Sequence, residues 1–336
     1  MNNLRKLLFP FALIYQAITG VRNYLFNKGW LVSRVYDFPL IGIGNLSVGG
    51  TGKSPMTEYV LRLLGDNYKV ATLSRGYGRK TKGYLDVTPD SAVHRTGDEP
   101  LQFAKKFKEV YVAVDEDRRN GISLLRNKNP KPEIIVLDDV YQHRKVKPGF
   151  IIMLSAYDSM FYGDFILPAG NLRESRKGAK RADCIIVTKC PSTLNEVEKG
   201  EIGTKIRKYS SAPVYFSTIA YGVKLHGASS IDLNELPSSF TLVTGIANPA
   251  PLLNYLDENM LRYEHVEFSD HHNFTEKEIN ELDKREVILT TEKDYMRLEG
   301  KFKHATLYYL PIEMRFLEEK DRFSAQIRGF LNEFSK

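Results

Sequence analysis

The chain has 336 residues, enough for two domains at the usual length of about 100–200 residues each. With 42% hydrophobic residues, 19 Tyr and 18 Phe, it can bury sizeable cores, which excludes wholesale disorder. Lys and Arg (48) exceed Asp and Glu (41) by seven. Five of those seven charges sit in residues 1–36, which hold Arg5, Lys6, Arg22, Lys28 and Arg34 and no acid. The rest is nearly balanced, unlike the spread basic surface of a nucleic-acid binder, so no nucleic-acid partner is expected. Cys184 and Cys190 are too few for a disulfide framework and lack C-x-x-C spacing, so a reducing compartment is expected.

In chain order, the first apolar run is Leu7–Tyr15, short of the ~20 residues of a spanning helix. Apolar residues continue at Ile18, Val21, Tyr24, Leu25 and Trp30, with basic residues between them. That pattern fits an amphipathic helix on an anionic membrane surface. Two other readings stay open: a helix packed on its own domain, and a signal peptide. Against the signal peptide, no A-x-A-type site follows and a nucleotide motif begins soon after.

From there short β-rich runs alternate with helical stretches, the pattern of a parallel sheet covered by helices. Strands are expected at Phe38–Ile43, Val70–Leu73, Val110–Val114, Ile134–Leu137, Phe150–Leu154, Cys184–Thr188 and Val214–Ile219. A helix is expected over Gly52–Leu64 after the first strand. Residues 220–239 are turn-rich and read as extended links. A second α/β unit then starts at Phe240–Thr244, with a strand at Val287–Thr290 and a last helix near Ser324–Phe334. The expected organisation is an N-terminal helix (1–36), a P-loop domain (37–220) and a smaller C-terminal α/β domain (221–336). The fold class is α/β: a P-loop NTPase-like, mostly parallel sheet with helices on both faces.

Between the first strand and its helix lies Ser47-Val48-Gly49-Gly50-Thr51-Gly52-Lys53-Ser54. Glycines let backbone N–H groups curl round phosphate oxygens at the positive end of a helix. Lys53 reaches the β/γ-phosphates in such a loop, and the Ser54 hydroxyl binds Mg²⁺. The strict pattern has Gly where Ser47 stands. A metal-holding carboxylate is required at a neighbouring strand end, and Ile134–Leu137 runs into Asp138-Asp139. A nucleoside triphosphate with Mg²⁺ is therefore the expected ligand.

Several motifs together carry a resemblance. Gly44–Pro55 is followed by Leu73-Ser-Arg-Gly-Tyr-Gly-Arg79, Gly97-Asp-Glu-Pro100 and Leu137-Asp-Asp-Val-Tyr-Gln-His143. Then come Leu167-Pro-Ala-Gly-Asn-Leu-Arg-Glu174, Gly245-Ile-Ala-Asn-Pro249, Asp270-His271 and Thr290-Thr-Glu-Lys-Asp294. In this order they resemble the tetraacyldisaccharide 4′-kinase family, the lipid A kinases of Gram-negative bacteria. The resemblance implies ATP with Mg²⁺ and transfer of the γ-phosphoryl group to the 4′-hydroxyl of a tetraacylated glucosamine disaccharide 1-phosphate. It also implies peripheral attachment at the cytoplasmic face of the inner membrane, with no protein partner. Two positions depart from the family pattern: Val140 where Gly is usual, and Asn171 where Pro is common.

The same resemblance makes Asp98 the catalytic carboxylate and His271 its partner. Read alone, Asp98 is a turn former or helix N-cap, and His272 is as good a candidate as its neighbour. Tyr77, Arg118, Arg119, Gln142, His143 and Arg173 are candidate substrate contacts. Arg118 and Arg119 stand at a strand's carboxyl end, where open α/β sheets place ligands. Arg176, Lys177, Lys180 and Arg181 make a basic cluster with two readings, a solvated loop or a contact to phosphate or anionic lipid. Two rival functions come from other classes. One is a membrane-associated P-loop ATPase or GTPase switch, which needs no base aimed at an organic hydroxyl. The other is a nucleotide-holding module.

Overall fold

Near-continuous Val, Ile and Leu runs need cover on both faces, and in the computed structural model they form the middle of two sheets. The structure describes Arg5 and residues 7–334. Lys6, one of the N-terminal basic residues, and the ends at 1–4 and 335–336 lie outside the described residues.

The first sheet uses β1 (Leu40–Asn45), β2 (Val70–Ser74), β3 (Leu85–Val87), β4 (Tyr111–Val114), β5 (Ile134–Leu137), β6 (Phe150–Ala156), β7 (Cys184–Thr188) and β8 (Val214–Tyr221). The second uses β9 (Lys224–Gly227), β10 (Ser230–Asp232), β11 (Phe240–Thr244), β12 (Tyr263–Glu267), β13 (Val287–Thr291) and β14 (Thr306–Leu310). A last strand, β15 (Ile312–Phe316), returns to the first sheet. Its order is β15-β8-β7-β6-β1-β5-β2-β4-β3, parallel from β8 to β4 with an antiparallel strand at each edge. The second sheet runs β10-β9-β14-β13-β11-β12, with β14, β13, β11 and β12 parallel.

Apart from one turn at Val93–Thr96, the α-helices among the described residues are α1 (Phe9–Asn27), α2 (Lys53–Gly65), α3 (Asp98–Lys106), α4 (Arg118–Arg126), α5 (Glu196–Arg207), α6 (Ala250–Glu258), α7 (Glu276–Leu282), α8 (Glu292–Leu298) and α9 (Lys320–Asn332). One core packs Ile43 and Ile152 of the first sheet against Met56 and Val60 of α2 and Phe323 and Ile327 of α9.

That core corrects the expected boundary. Residues 221–336 do not form one unit, because β15 pairs with β8 from Ile312↔Tyr221 to Phe316↔Ser217. Helix α9 then buries Phe323, Ile327, Phe330 and Leu331 in the first sheet's core. The second sheet takes only 224–310. The first strand also starts two residues later than expected, after Pro39, which has no N–H to give a ladder.

Helix α1 presents an inverted pattern. It is held to the rest of the chain by polar bonds as well as by buried Ala12 and by Tyr15 and Phe9: Asn23 Nδ2 donates to Glu174 (2.8 Å), and Arg144 donates to the Asn23 carbonyl (2.9 Å) and Asn27 Oδ1 (2.7 Å). Phe11, Leu13, Ile14, Ile18, Val21 and Tyr24 face outward, each more than half exposed. Among the described residues no helix is long and apolar enough to cross a membrane.

Candidate active site

The phosphate loop leaves β1 and is braced from three sides. Asn45 Nδ2 donates to the Ser47 carbonyl (2.7 Å), Val48 N to the Asn171 carbonyl (2.8 Å), and Thr188 Oγ1 to the Thr51 carbonyl (2.9 Å). Gly52 closes the loop at φ 82°, a left-handed conformation that glycine adopts without Cβ strain. Lys53 then begins α2, whose first N–H groups face into the loop with the helix's positive dipole end. A phosphate group fits that environment.

Strand β5, beside β1, delivers the two acids. Asp138 is buried, accepts a hydrogen bond from Thr57 of α2 (3.2 Å), and is pushed up to about 6 by burial and by the charges of Glu99 and Asp139. Asp139 turns back at φ 47°, 3.7 Å from Lys53 Nζ and 3.2 Å from Arg173. Burial would raise its carboxyl, but Lys53 and Arg173 outweigh that and hold it below the usual range. At Asp138 the nearby Lys53 and Arg118 cations offset only part of the upward push. With the Ser54 hydroxyl, Asp138 and Asp139 form a hard oxygen donor set suited to Mg²⁺. The turn that a glycine would ease at Val140 is taken by Asp139 itself, and Val140 is buried.

A second cluster joins the two sheets. Gly97, at φ 89°, places Asp98 at the first position of α3; a Cβ there would meet the Tyr77 carbonyl at 2.9 Å. Asp98 is buried, with the His271 Nδ1 3.3 Å from its Oδ2 and the Arg297 guanidinium in hydrogen-bond contact with the same oxygen. Nδ1 also lies 2.7 Å from Arg297, but it cannot donate to Asp98 and accept from Arg297 at once. Arg297 has N–H groups enough for Asp98, Asp294 and Nδ1 alike, so the partner of Nδ1 is set by the ring's tautomer. Hydrogen bonding with Asp98 raises the His271 imidazole above its ordinary value despite burial. Burial would raise Asp98, yet the His271 bond and the charges of Lys293 and Arg297 hold it below the carboxylate range.

The neighbouring histidine points elsewhere: His272 Nε2 is 3.0 Å from Glu278 and its ring stacks on Phe268. Tyr77 lies with its ring 5.4 Å from that of His271 and is 69% exposed. Gln142 donates to the Asn45 carbonyl (2.9 Å) and accepts from Arg173 (3.2 Å), which ties the loop after Asp139 to β1. Burial, with Arg118 and Arg75 nearby, pushes His143 down to about 4. Arg118 is 2% exposed, its fork held by the carbonyls of Asp115 and Asp138. Arg119 folds back on Asp117 (2.8 Å). In the basic cluster, Arg181 grips Glu174 with two bonds of 2.8 Å and Arg176 donates to the Asp164 carbonyl, which leaves Lys177 and Lys180 exposed.

Arg297 is a site neighbour that sequence reasoning passed over, and Glu292 and Lys293, read only as part of a motif, were given no site role. Asp294 and Arg297 stand three apart, the spacing of partners on one helix face, and that signal was present.

The family model described as Tetraacyldisaccharide-1-P 4'-kinase matches residues 4–332. The chain belongs to this family. The tetraacyldisaccharide 4'-kinase of Flavobacterium johnsoniae is 47% identical over 339 residues, covering 99% of both chains. That of Bacteroides thetaiotaomicron is 43% identical over 360 residues, covering 98% of this chain and 94% of the relative. A crystal structure of the "apo" form of LpxK from Aquifex aeolicus in complex with ATP is similar at a TM-score of 0.80 and 31% identity, covering 98% and 99%.

At Asn171, where the family often has Pro, the backbone N–H donates to Asp164 (3.2 Å). A proline could not make that bond.

Proposed function

We infer that this chain transfers the γ-phosphoryl group of ATP to the 4′-hydroxyl of a tetraacylated glucosamine disaccharide 1-phosphate, giving the 1,4′-bisphosphate. The observation that carries the reading is the 3.3 Å contact between buried Asp98 and half-buried His271 across the two sheets, in a chain whose phosphate loop runs into Lys53. A hydrolytic switch has no need of a carboxylate–imidazole pair aimed at an acceptor, and membership of a kinase family disfavours it further.

In this reading the loop 47–54 cradles the phosphates and Lys53 draws charge from the migrating group. Ser54, Asp138 and Asp139 hold Mg²⁺, which when bound neutralises charge on the phosphate oxygens. Asp98 accepts the proton of the 4′-hydroxyl as its oxygen bonds to γ-phosphorus; the bridging β–γ bond breaks and ADP leaves. A carboxylate held this acidic is a weak base. In a loose transition state there is little covalent chemistry to drive, so aligning the hydroxyl counts for most. His271 keeps Asp98 ionised and oriented. Tyr77 and Arg173 border the acceptor, and the outward apolar face of α1 takes acyl chains at the cytoplasmic surface of an anionic inner membrane.

The test is incubation with γ-labelled ATP, Mg²⁺ and detergent-dispersed tetraacyldisaccharide 1-phosphate, followed by separation of the lipid. Label in the lipid is expected, and its loss in Lys53→Ala. Phosphate release that ignores the acceptor would refute transfer.

A further inference from the structure

Helix α8 does more than border the second sheet. Among the described residues, ion pairs join α3 to α8 and its end at Glu299. They are Asp98–Arg297, Glu99–Lys293 (2.7 Å), Lys105–Glu299 and Lys106–Glu292 (2.6 Å). Arg297 stands at the centre of the site: it is 9% exposed, with Asp98 on one side and Asp294 at 3.3 Å on the other. Asp294 is itself fixed, accepting from Gly245 N (2.8 Å) and Thr291 Oγ1 (2.7 Å). His271 is tied to the same anchor, since its backbone N–H donates to the Gly245 carbonyl (3.0 Å).

We propose that Arg297 is the positioning residue of the base: carried on α8 and anchored by Asp294, it fixes the Asp98 carboxylate against His271, so that docking of the second sheet completes the site. The proposal rests on the reading of Asp98 as the base. A guanidinium suits the task because its planar fork sets direction as well as charge. An ammonium supplies charge alone. Besides Arg297, the charged groups around Asp98 are Lys293 and Asp294 on α8, His271 with Asp270 behind it, and Glu99 on its own helix. Arg297 favours the ionised carboxylate, so removing it raises the pH at which Asp98 gains a proton.

The test compares full-length wild type, Arg297→Met, Arg297→Lys and Asp98→Ala by kcat, KM for ATP and the pH dependence of kcat. Arg297→Met is expected to lower kcat by about tenfold or more, up to the 10²–10⁴ of losing a base outright. Its KM for ATP stays within about twofold, and its acidic limb moves to higher pH. Arg297→Lys falls between wild type and Arg297→Met on both kcat and limb. Arg297→Met with wild-type kcat and limb, beside an inactive Asp98→Ala, overturns the proposal and leaves Asp98 standing. So does a kcat loss with an unmoved limb, which a merely structural arginine would give. Near wild-type turnover in Asp98→Ala overturns the base reading instead. Where Arg297→Met fails to fold, judged by thermal unfolding, Arg297→Lys decides, and a wild-type limb there refutes the proposal.

Discussion

Glu292→Gln isolates the buried charge between the two sheets. Glu292 is 4% exposed; its Oε1 lies 2.6 Å from Lys106 Nζ, yet neither carboxyl oxygen has an aligned hydrogen-bond donor. The same ammonium is shared with Glu58, which also holds Arg62 (2.9 Å) and Gln102 (2.7 Å). Burial, with Glu58 close by, pushes Glu292 up to about 7 from its ordinary 4.5. That difference is roughly 3 kcal/mol in favour of the neutral acid. The folded state therefore holds this proton more tightly than the unfolded chain. Its contribution to stability is full below about 4.5 and is lost as pH rises through 7. Glutamine keeps the shape and removes the titration. The stability of Glu292→Gln relative to wild type should then rise by up to about 3 kcal/mol between pH 5 and pH 8, read from urea unfolding at each pH. A difference that stays flat, or a mutant that loses stability at pH 8, would mean that Glu292 is ionised and paired with Lys106, and would refute the reasoning.

Asp98→Ala and His271→Ala should each lower kcat at saturating ATP and lipid, with the double mutant only slightly worse than Asp98→Ala; fully multiplicative losses would mean independent roles. Asp138→Asn and Asp139→Asn should each raise the Mg²⁺ concentration needed for half-maximal activity, and unchanged metal titrations for both would remove them from the metal site. Deleting residues 1–30 should reduce pelleting with anionic vesicles and raise KM for dispersed lipid more than KM for ATP. If the truncated chain pellets as before, the membrane contact lies elsewhere, with exposed Lys177 and Lys180 the next place to look.

The first sheet was legible because its strands are buried on both faces and so read as unbroken apolar runs; Ile134–Leu137 and Cys184–Thr188 fall where expected. Strands β12 and β15 lacked that signal. They are edge strands whose half-exposed Tyr-Glu-His-Val-Glu and Ile-Glu-Met-Arg-Phe sequences carry charges. The return of β15 and α9 to the first sheet was invisible for the same reason, since periodicity shows an apolar face and not its partner. Spacing gave the phosphate loop and Asp138–Asp139, which are local. The choice of His271 over His272 was not local, because two adjacent rings differ only in what the surrounding chain offers them. The Asp294–Arg297 spacing was there to read, but the pairing of Arg297 with Asp98, 199 positions away, was not.

The two crossings between sheets run side by side. Gly222 N donates to the Pro311 carbonyl (2.9 Å), and Ile312 pairs with Tyr221 where β15 joins β8. One connection alone would let the second sheet turn about any axis. Two paired strands form a ribbon that bends far more easily than it twists or slides. Any relative motion is thereby funnelled into a hinge at 221–223 and 310–312, and the α3–α8 ion pairs are the contacts that such a hinge makes or breaks. With Asp98 on one side of that contact and His271 and Arg297 on the other, this cluster is complete only while α8 is docked. Bending the ribbon would separate the pair without disturbing the phosphate loop, Lys53 or the metal acids, all of which belong to the first sheet. The phosphate loop and the Asp98–His271 cluster are thus mechanically separable in this fold.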